Sequence, residues 1–206
     1  DAEIVDELMH QMRKVDVTFR LGEAVASMKV ATIPQRKGVI LLESGKNVVA
    51  DAILFSAGRV GATEELNLSA LGITADDRGR LTVDDHYRTS VAHVYAAGDV
   101  IGFPALAATS SEQGRLASCD MFGLESKPMG THFPVGIYAI PEISMVGATE
   151  HDLTAAKIPY ETGLARYREI SRGQILGDDS GMFKMLFHRE TGKLLGCHCI
   201  GTGATV

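Results

Sequence analysis

Apolar residues at helical spacing open the chain and return near its middle. Ile4, Leu8 and Met12 lie four residues apart behind acidic first-turn residues, which predicts a helix over residues 3–14. A run of small residues that begins at Ala105 predicts a second and longer helix, over residues 105–123. Between these two helices the periodicity favours strands and turns.

Two antiparallel hairpins follow from short apolar runs around turn residues. Residues 38–42 and 47–50 flank Glu-Ser-Gly-Lys, and residues 182–188 and 193–200 flank Arg-Glu-Thr-Gly. Residues 52–57 are apolar without alternation, which is typical of a strand that is buried on both faces. Further short strands are predicted at residues 17–21, 81–83 and 94–97.

The composition changes between residues 126 and 134. This stretch holds two prolines and a glycine, and we place a domain boundary there. Beyond it, residues 136–147 predict two short strands around Pro141-Glu142. Thr149 is the expected N-cap of a helix that reaches Lys157.

Composition and charge limit the classes of function. The chain has 206 residues, 45% of them hydrophobic, with a net charge of −6, which argues against a nucleic-acid or membrane-surface role. No apolar run approaches the ~18 residues that span a bilayer. The 3 cysteines are too few for a disulfide framework. A cytoplasmic protein is the simplest prediction.

The most informative stretch runs from Thr89 into the 105–123 helix. The apolar strand 94–97 ends in Gly98-Asp99, at the edge of an α/β sheet where ligands bind. A carboxylate there can accept hydrogen bonds from ribose or polyol hydroxyls, and the amides of a helix start suit an electron-rich oxygen. Taken alone, the motif fits a helix-capping aspartate on a tight turn as well.

The combination of Thr89, the small-residue strand, Gly-Asp and the small-residue helix resembles the second flavin motif of the flavoprotein disulfide reductases. These enzymes bind FAD and a nicotinamide nucleotide, NAD(P). The resemblance implies that Asp99, beside Gly98, holds the ribityl chain of FAD. It also implies that the backbone around Leu106 and Ala107 points at the pyrimidine edge of the flavin, where negative charge builds up on reduction.

Two further segments resemble this family in the same order along the chain. The strand followed by Gly-Arg resembles the end of the NAD(P) domain and implies that Arg59 lies near the cofactors, although a surface arginine that caps the strand is equally compatible. Residues 136–147 resemble the start of the dimerisation domain, which implies a homodimer.

The expected fold is therefore α/β and divides into three parts. Residues 1–60 are expected to end a Rossmann-like NAD(P)-binding domain, and residues 61–134 to form the C-terminal part of a FAD-binding domain. Residues 135–206 are expected to form an incomplete α+β dimerisation domain.

Residues 163–177 and 185–191, with 131–147, most resemble the transhydrogenase branch of the family. That branch carries out FAD-dependent hydride transfer between NADPH and NAD⁺, which would be the substrates. Two alternatives stay open. One is a dihydrolipoamide dehydrogenase-like disulfide oxidoreductase, and the other is a non-catalytic dimerisation or binding fragment.

The chain has the character of a piece of a longer polypeptide. It lacks a Gly-x-Gly-x-x-Gly loop, which we expect before Asp1, and the catalytic His–Glu pair of disulfide-reducing relatives is expected after Val206. It also lacks a Cys-x-x-x-x-Cys pair, which a transhydrogenase does not need, and such a pair before Asp1 would favour the dihydrolipoamide dehydrogenase-like alternative. No catalytic residue is therefore assigned, and the chain alone is expected to bind FAD weakly.

Cys197-His198-Cys199 carries metal-ligand residue types at the wrong spacing. On a strand the two thiols face one side and the imidazole faces the other, and zinc sites use longer spacers with a second ligand pair. A disulfide between the two cysteines is disfavoured by the length of the extended backbone between them. We predict no metal here, and a core position for Cys119.

Overall fold

The computed structural model describes residues 1–32 and 34–206. These divide into two compact units. One is formed by residues 16–59, and the other by residues 1–15 together with 60–206. The architecture is mixed α/β, as predicted. Among the described helices, none combines the length and the apolar character needed to cross a bilayer.

An antiparallel meander forms the unit of residues 16–59. Strands β1 (Val25–Ala31), β2 (Lys37–Leu42) and β3 (Asn47–Ala50) pair in that order. The predicted β2–β3 hairpin is confirmed, and Gly45 in its turn has a φ of +82°, which glycine adopts without strain. The predicted strand at residues 17–21 is wrong, since regular pairing begins only at Val25.

Residues 52–57 correct a second expectation. They form no strand, and Leu54 is 90% and Phe55 75% exposed. A strand that is apolar on both faces needs neighbouring strands and covering layers. Within the described residues, no strand pairs with residues 52–57. The apolar composition of residues 52–57 therefore favours burial, but these residues are exposed in this chain.

A five-stranded antiparallel sheet dominates the second unit. Its strands are β4 (Val135–Ile137), β5 (Ile143–Gly147), β6 (Tyr160–Arg166), β7 (Met182–His188) and β8 (Leu194–Ile200), in the order β4-β5-β8-β7-β6. The predicted β7–β8 hairpin and the two strands around Pro141-Glu142 are confirmed. Strand β6 was not predicted, because alternation of apolar and polar residues is weak along it.

Helix α1 (Ala2–Lys14) packs against this sheet. Ile4 is 2% exposed and shares a hydrophobic cluster with Ile143, Met182 and Ile200, which Leu8 flanks. The four-residue spacing that predicts the helix therefore also identifies the face that it buries.

A buried lysine lies beside this contact. The Lys184 side chain is 1% exposed, and its Nζ lies 2.8 Å from Asp1 Oδ1, 2.6 Å from Glu3 Oε2 and 3.3 Å from Glu150 Oε2. Asp1 and Glu3 lie at the start of α1, and Glu150 lies at the start of α3. Together their three carboxylates compensate the charge of the buried Lys184 ammonium group.

Helix α3 (Glu150–Ala155) begins as the sequence predicted. Thr149 Oγ1 accepts a hydrogen bond from the Asp152 amide at 3.2 Å, and Asp152 Oδ2 accepts one from the Thr149 amide at 3.0 Å. This reciprocal capping box satisfies two amides at the helix start. A short helix that was not predicted, α4 (Ser171–Leu176), follows β6.

Residues 60–121 have little regular structure before helix α2 (Ala107–Met121). They contain three 3₁₀ turns, Glu64–Leu66, Leu68–Leu71 and Asp99–Ile101. Ile73, Leu81 and Ala96 form the buried core of this region. The strands predicted at residues 81–83 and 94–97 are wrong, because isolated hydrogen bonds replace a ladder there.

Candidate cofactor-binding site

The approach to the Gly-Asp motif is a hairpin that side chains close. Asp84 Oδ1 accepts hydrogen bonds from the amides of His86 and Arg88 at 2.8 and 2.9 Å. Thr89 Oγ1 donates to the carbonyl of Val94 at 2.9 Å, and the Thr89 amide donates to the same oxygen at 2.8 Å. Thr89, which the sequence singled out, is thus what turns the chain back toward Gly98.

Gly98 has a backbone conformation that is reserved for glycine, with φ of +85° and ψ of −158°. A Cβ atom at this position would lie 3.3 Å from Ser110 Oγ on the second turn of α2. The Gly98 amide donates a 2.7 Å hydrogen bond to Oε1 of Gln113, which is 1% exposed. The Gly-Asp turn is therefore fixed against the first half of α2.

Asp99 opens the 3₁₀ turn directly after this fixed glycine and is exposed. Its carbonyl accepts a hydrogen bond from the Gly102 amide at 3.0 Å, which closes the turn. An exposed carboxylate on a fixed backbone can accept hydrogen bonds from hydroxyl groups outside the chain.

Helix α2 begins at Ala107, with Leu106 as an extended N-cap residue. Thr109 Oγ1 and Ser110 Oγ both donate to the Leu106 carbonyl, at 2.9 and 2.8 Å. Both hydroxyls donate to a carbonyl and therefore do not accept hydrogen bonds from the first amides of the helix through these contacts. As at any helix start, the first amides have no partner within the helix. Ala107 is exposed and Leu106 is half-buried.

A second set of polar contacts fastens the other end of α2, and the sequence reasoning missed it. Asp120 accepts hydrogen bonds from Arg88 Nε and from the Tyr95 hydroxyl, each at 2.7 Å. The Tyr95 hydrogen bond, followed by that from Arg88, lowers the pKa of Asp120. His86 Nδ1 lies 3.2 Å from the same carboxylate. No local motif signals this cluster, because its members come from separate segments.

The structure thus places Gly98, Asp99, Leu106 and Ala107 on the two sides of one loop, next to the first turns of α2. Their role toward a cofactor stays a prediction. Arg59 lies in the other unit, at the exposed end of residues 16–59, directly after Gly58 with a φ of +97°. Its proximity to a cofactor likewise stays a prediction.

In the Cys-His-Cys segment, the two cysteines and the histidine face opposite sides of the strand, as predicted. Cys197 and Cys199 are half-buried free thiols, whereas His198 is 1% exposed. His198 Nε2 lies 2.9 Å from the Ala148 carbonyl, and Nδ1 lies buried without a hydrogen-bond partner. Burial lowers the pKa of His198. Across residues 1–32 and 34–206, no group of three or more His, Cys, Asp or Glu side chains is arranged to hold a metal ion.

Comparison with known protein families gives two matches along the chain. Residues 1–114 match the pyridine nucleotide-disulphide oxidoreductase family, and residues 133–206 match the dimerisation domain of the same family. The chain belongs to the pyridine nucleotide-disulphide oxidoreductases. The α/β fold and the resemblance identified from the Gly-Asp motif are thereby confirmed.

Curated relatives match this chain over all of its 206 residues or nearly all of them. A soluble pyridine nucleotide transhydrogenase of Mycobacterium tuberculosis is 51% identical over 205 residues, which is 100% of this chain and 43% of the relative. One of Marinobacter nauticus is 49% identical over 205 residues, with 43% of the relative covered. The chain therefore spans less than half the length of the curated relatives that it matches.

Solved structures of the oxidoreductase family share the fold. The crystal structure of LpdA from Mycobacterium tuberculosis superposes with a TM-score of 0.87 at 25% identity, over 100% of this chain and 44% of LpdA. The flavoprotein disulfide reductase RclA of Escherichia coli also gives 0.87, at 22% identity and over 98% of this chain and 46% of RclA, which shows the fold alone.

Proposed function

We propose that the whole protein to which this chain belongs is a FAD-dependent soluble pyridine nucleotide transhydrogenase, which transfers a hydride between NADPH and NAD⁺. The observation that carries the proposal is the Gly98–Asp99 turn fixed against α2, in a chain that is 51% identical to a relative of that name. Residues 1–60 would end the NAD(P)-binding domain, residues 61–134 would complete the FAD-binding domain, and residues 135–206 would start the dimerisation domain.

The residues present fit FAD at this turn. The backbone of Gly98 is fixed against α2, and the exposed Asp99 that follows it would accept hydrogen bonds from the ribityl hydroxyls. The amides around Leu106 and Ala107 would donate to the pyrimidine edge and stabilise negative charge there. Bound FAD supplies hydride acceptance and donation between two nicotinamide nucleotides.

The remaining parts of the proposal rest on family membership. Arg59 would lie near the nucleotide, where its guanidinium suits phosphate or carboxamide oxygens. A homodimer would form through residues 135–206, which match the family's dimerisation domain from residue 133 onward. A cytoplasmic location agrees with cysteines that are all free thiols.

The first experiment uses the full-length gene product that contains this chain. We expect a purified yellow protein with flavin absorption and with NADPH-dependent reduction of thio-NAD⁺. An Asp99→Asn variant should bind FAD more weakly, because an amide cannot replace the carboxylate as a charged acceptor. Asp179→Asn, on an exposed turn outside the proposed site, is the matched control.

Other outcomes would decide differently. A yellow protein that reduces lipoamide and leaves thio-NAD⁺ untouched would move the assignment to a dihydrolipoamide dehydrogenase-like enzyme. A colourless protein that still dimerises would support a non-catalytic dimerisation role. Tight, stoichiometric FAD binding by the 206-residue chain alone would contradict the expectation that contacts outside this chain supply much of the affinity.

A further inference from the structure

Gln113 is a buried polar side chain in the middle of α2. It is 1% exposed, and its Oε1 accepts the amide hydrogen of Gly98 at 2.7 Å. Burying an amide is costly unless it is hydrogen-bonded, and Leu116 and Ala117 already supply apolar packing on the same helix. Packing alone would be served by leucine or methionine at position 113.

The bond falls on the residue whose conformation matters most. Gly98 adopts a φ of +85° in the folded chain. Because glycine has no side chain, its backbone can adopt many other conformations in the unfolded chain. A hydrogen bond to its amide orients the Ala97–Gly98 peptide plane, from which the chain reaches Asp99 through the backbone of Gly98 alone. The direction in which the Asp99 carboxylate leaves the turn is thereby tied to the axis of α2.

We infer that Gln113 is a positioning residue for the cofactor site: it holds Gly98 so that Asp99 and the start of α2 face the same ligand. The inference rests on the proposed function, since it takes the ribityl hydroxyls of FAD as the partners of Asp99. Gln113 itself touches neither FAD nor substrate in this assignment.

The test measures the dissociation constant of FAD for the full-length protein with Gln113→Met and Gln113→Glu. Methionine has nearly the length of glutamine but only a weak acceptor, so Q113M should weaken FAD binding about tenfold. Q113E keeps an oxygen acceptor at the same reach and should restore most of the affinity. Leu116→Ala is the control, since it removes buried packing from α2 without touching Gly98.

A double-mutant cycle separates positioning from general stability. If Gln113 acts through Asp99, Q113M should cost little in a protein that already carries Asp99→Asn, whereas L116A should cost the same in both backgrounds. The visible spectrum of the bound flavin should shift with Q113M and return with Q113E. Should Q113M not fold, Gln113→Asn takes its place, because the shorter side chain keeps the acceptor but not its reach.

Two failures remain distinguishable. If D99N leaves FAD affinity unchanged, the proposed role of Asp99 is wrong. If D99N weakens FAD binding but Q113M and D99N act additively, then the assignment of Gln113 is wrong while that of Asp99 stands.

Discussion

The five-stranded sheet and the region from residue 84 to 121 are held together by different kinds of hydrogen bond. In the sheet, β7 pairs with both β6 and β8 through backbone ladders. In residues 84–121, side chains hold backbone turns: Thr89 bonds to Val94, Gln113 to Gly98, and Asp120 to Arg88 and Tyr95. Individual side chains thus carry much of the geometry of the candidate site.

This contrast predicts where single substitutions act. A ladder spreads its stability over many backbone groups, so the loss of one hydrogen bond should disturb the sheet little, whereas a change that leaves a buried charge uncompensated should disturb it strongly. In residues 84–121, a change at one side chain or one glycine should alter local geometry while the rest of the fold persists.

The largest expected effect is that of Lys184→Met in the sheet. The Asp1 side chain is 0% exposed and would lose its ion pair with Lys184, which should lower the free energy of unfolding by about 3–5 kcal/mol. Urea unfolding of the 206-residue chain measures this. Lys193→Met, at an exposed position of the β7–β8 turn, should stay within about 0.5 kcal/mol. An equally small change for K184M would contradict the prediction and would mean that water solvates the carboxylates around position 184 once the lysine is removed.

Gly98→Ala should come next. It adds a Cβ atom in a backbone region that only glycine adopts readily, and the strain should cost about 1–3 kcal/mol. Gly114→Ala is the matched change on α2, since a Cβ there meets nothing within 4 Å, and it should stabilise by about 0.5–1 kcal/mol. Thermal unfolding of both variants checks the opposite signs. Equal behaviour of the two alanines would refute the strained turn.

A smaller effect should appear as a pH dependence carried by His198. Burial lowers the pKa of this imidazole in the folded state. As the pH falls below about 6.5, the unfolded chain therefore takes up a proton that the folded chain does not, and stability declines. Chemical unfolding between pH 7.5 and 5.5 should show this slope, and His198→Gln should flatten it. His151→Gln, at an exposed position, should leave the slope as it is.

The smallest effect should be that of Asp120→Asn on the region before α2. Hydrogen bonds from Tyr95 and Arg88 lower the pKa of Asp120 in the folded state. Its contribution to stability is therefore present above the unfolded pKa of about 3.9 and is lost as the pH falls through the lower, folded value. D120N should remove part of the acid sensitivity at these pH values. Asp179→Asn serves again as the exposed control.

Local pairing explains which elements could be predicted from the sequence. The β2–β3 and β7–β8 hairpins and the α3 cap join neighbours in sequence, so turn and cap residues identify them. Residues 52–57 and 94–97 were predicted as strands because their composition favours burial, but a strand also needs a partner, which composition does not specify. Strand β6 lacked the alternation that would have identified it.

The candidate site divides in the same way. Gly98 and Asp99 carry a recognisable local motif, and the small residues after them indicate the helix. Gln113, Asp120 and Lys184 carry no such signal, because their partners lie 15, 32 and 183 positions away. Polar residues that hold distant segments together are visible only once the fold has brought those segments into contact.

Packing of α1 on the sheet has a consequence for synthesis of the chain. Ile4 precedes Met182 by 178 residues and Ile200 by 196, so its cluster is completed only when both of these have been made. Until β8 has been made, the apolar face of α1 stays uncovered and Lys184 has no sheet neighbour on that side. This unit therefore cannot reach its final packing until residue 200 has been made, and contacts that distant in sequence slow its folding.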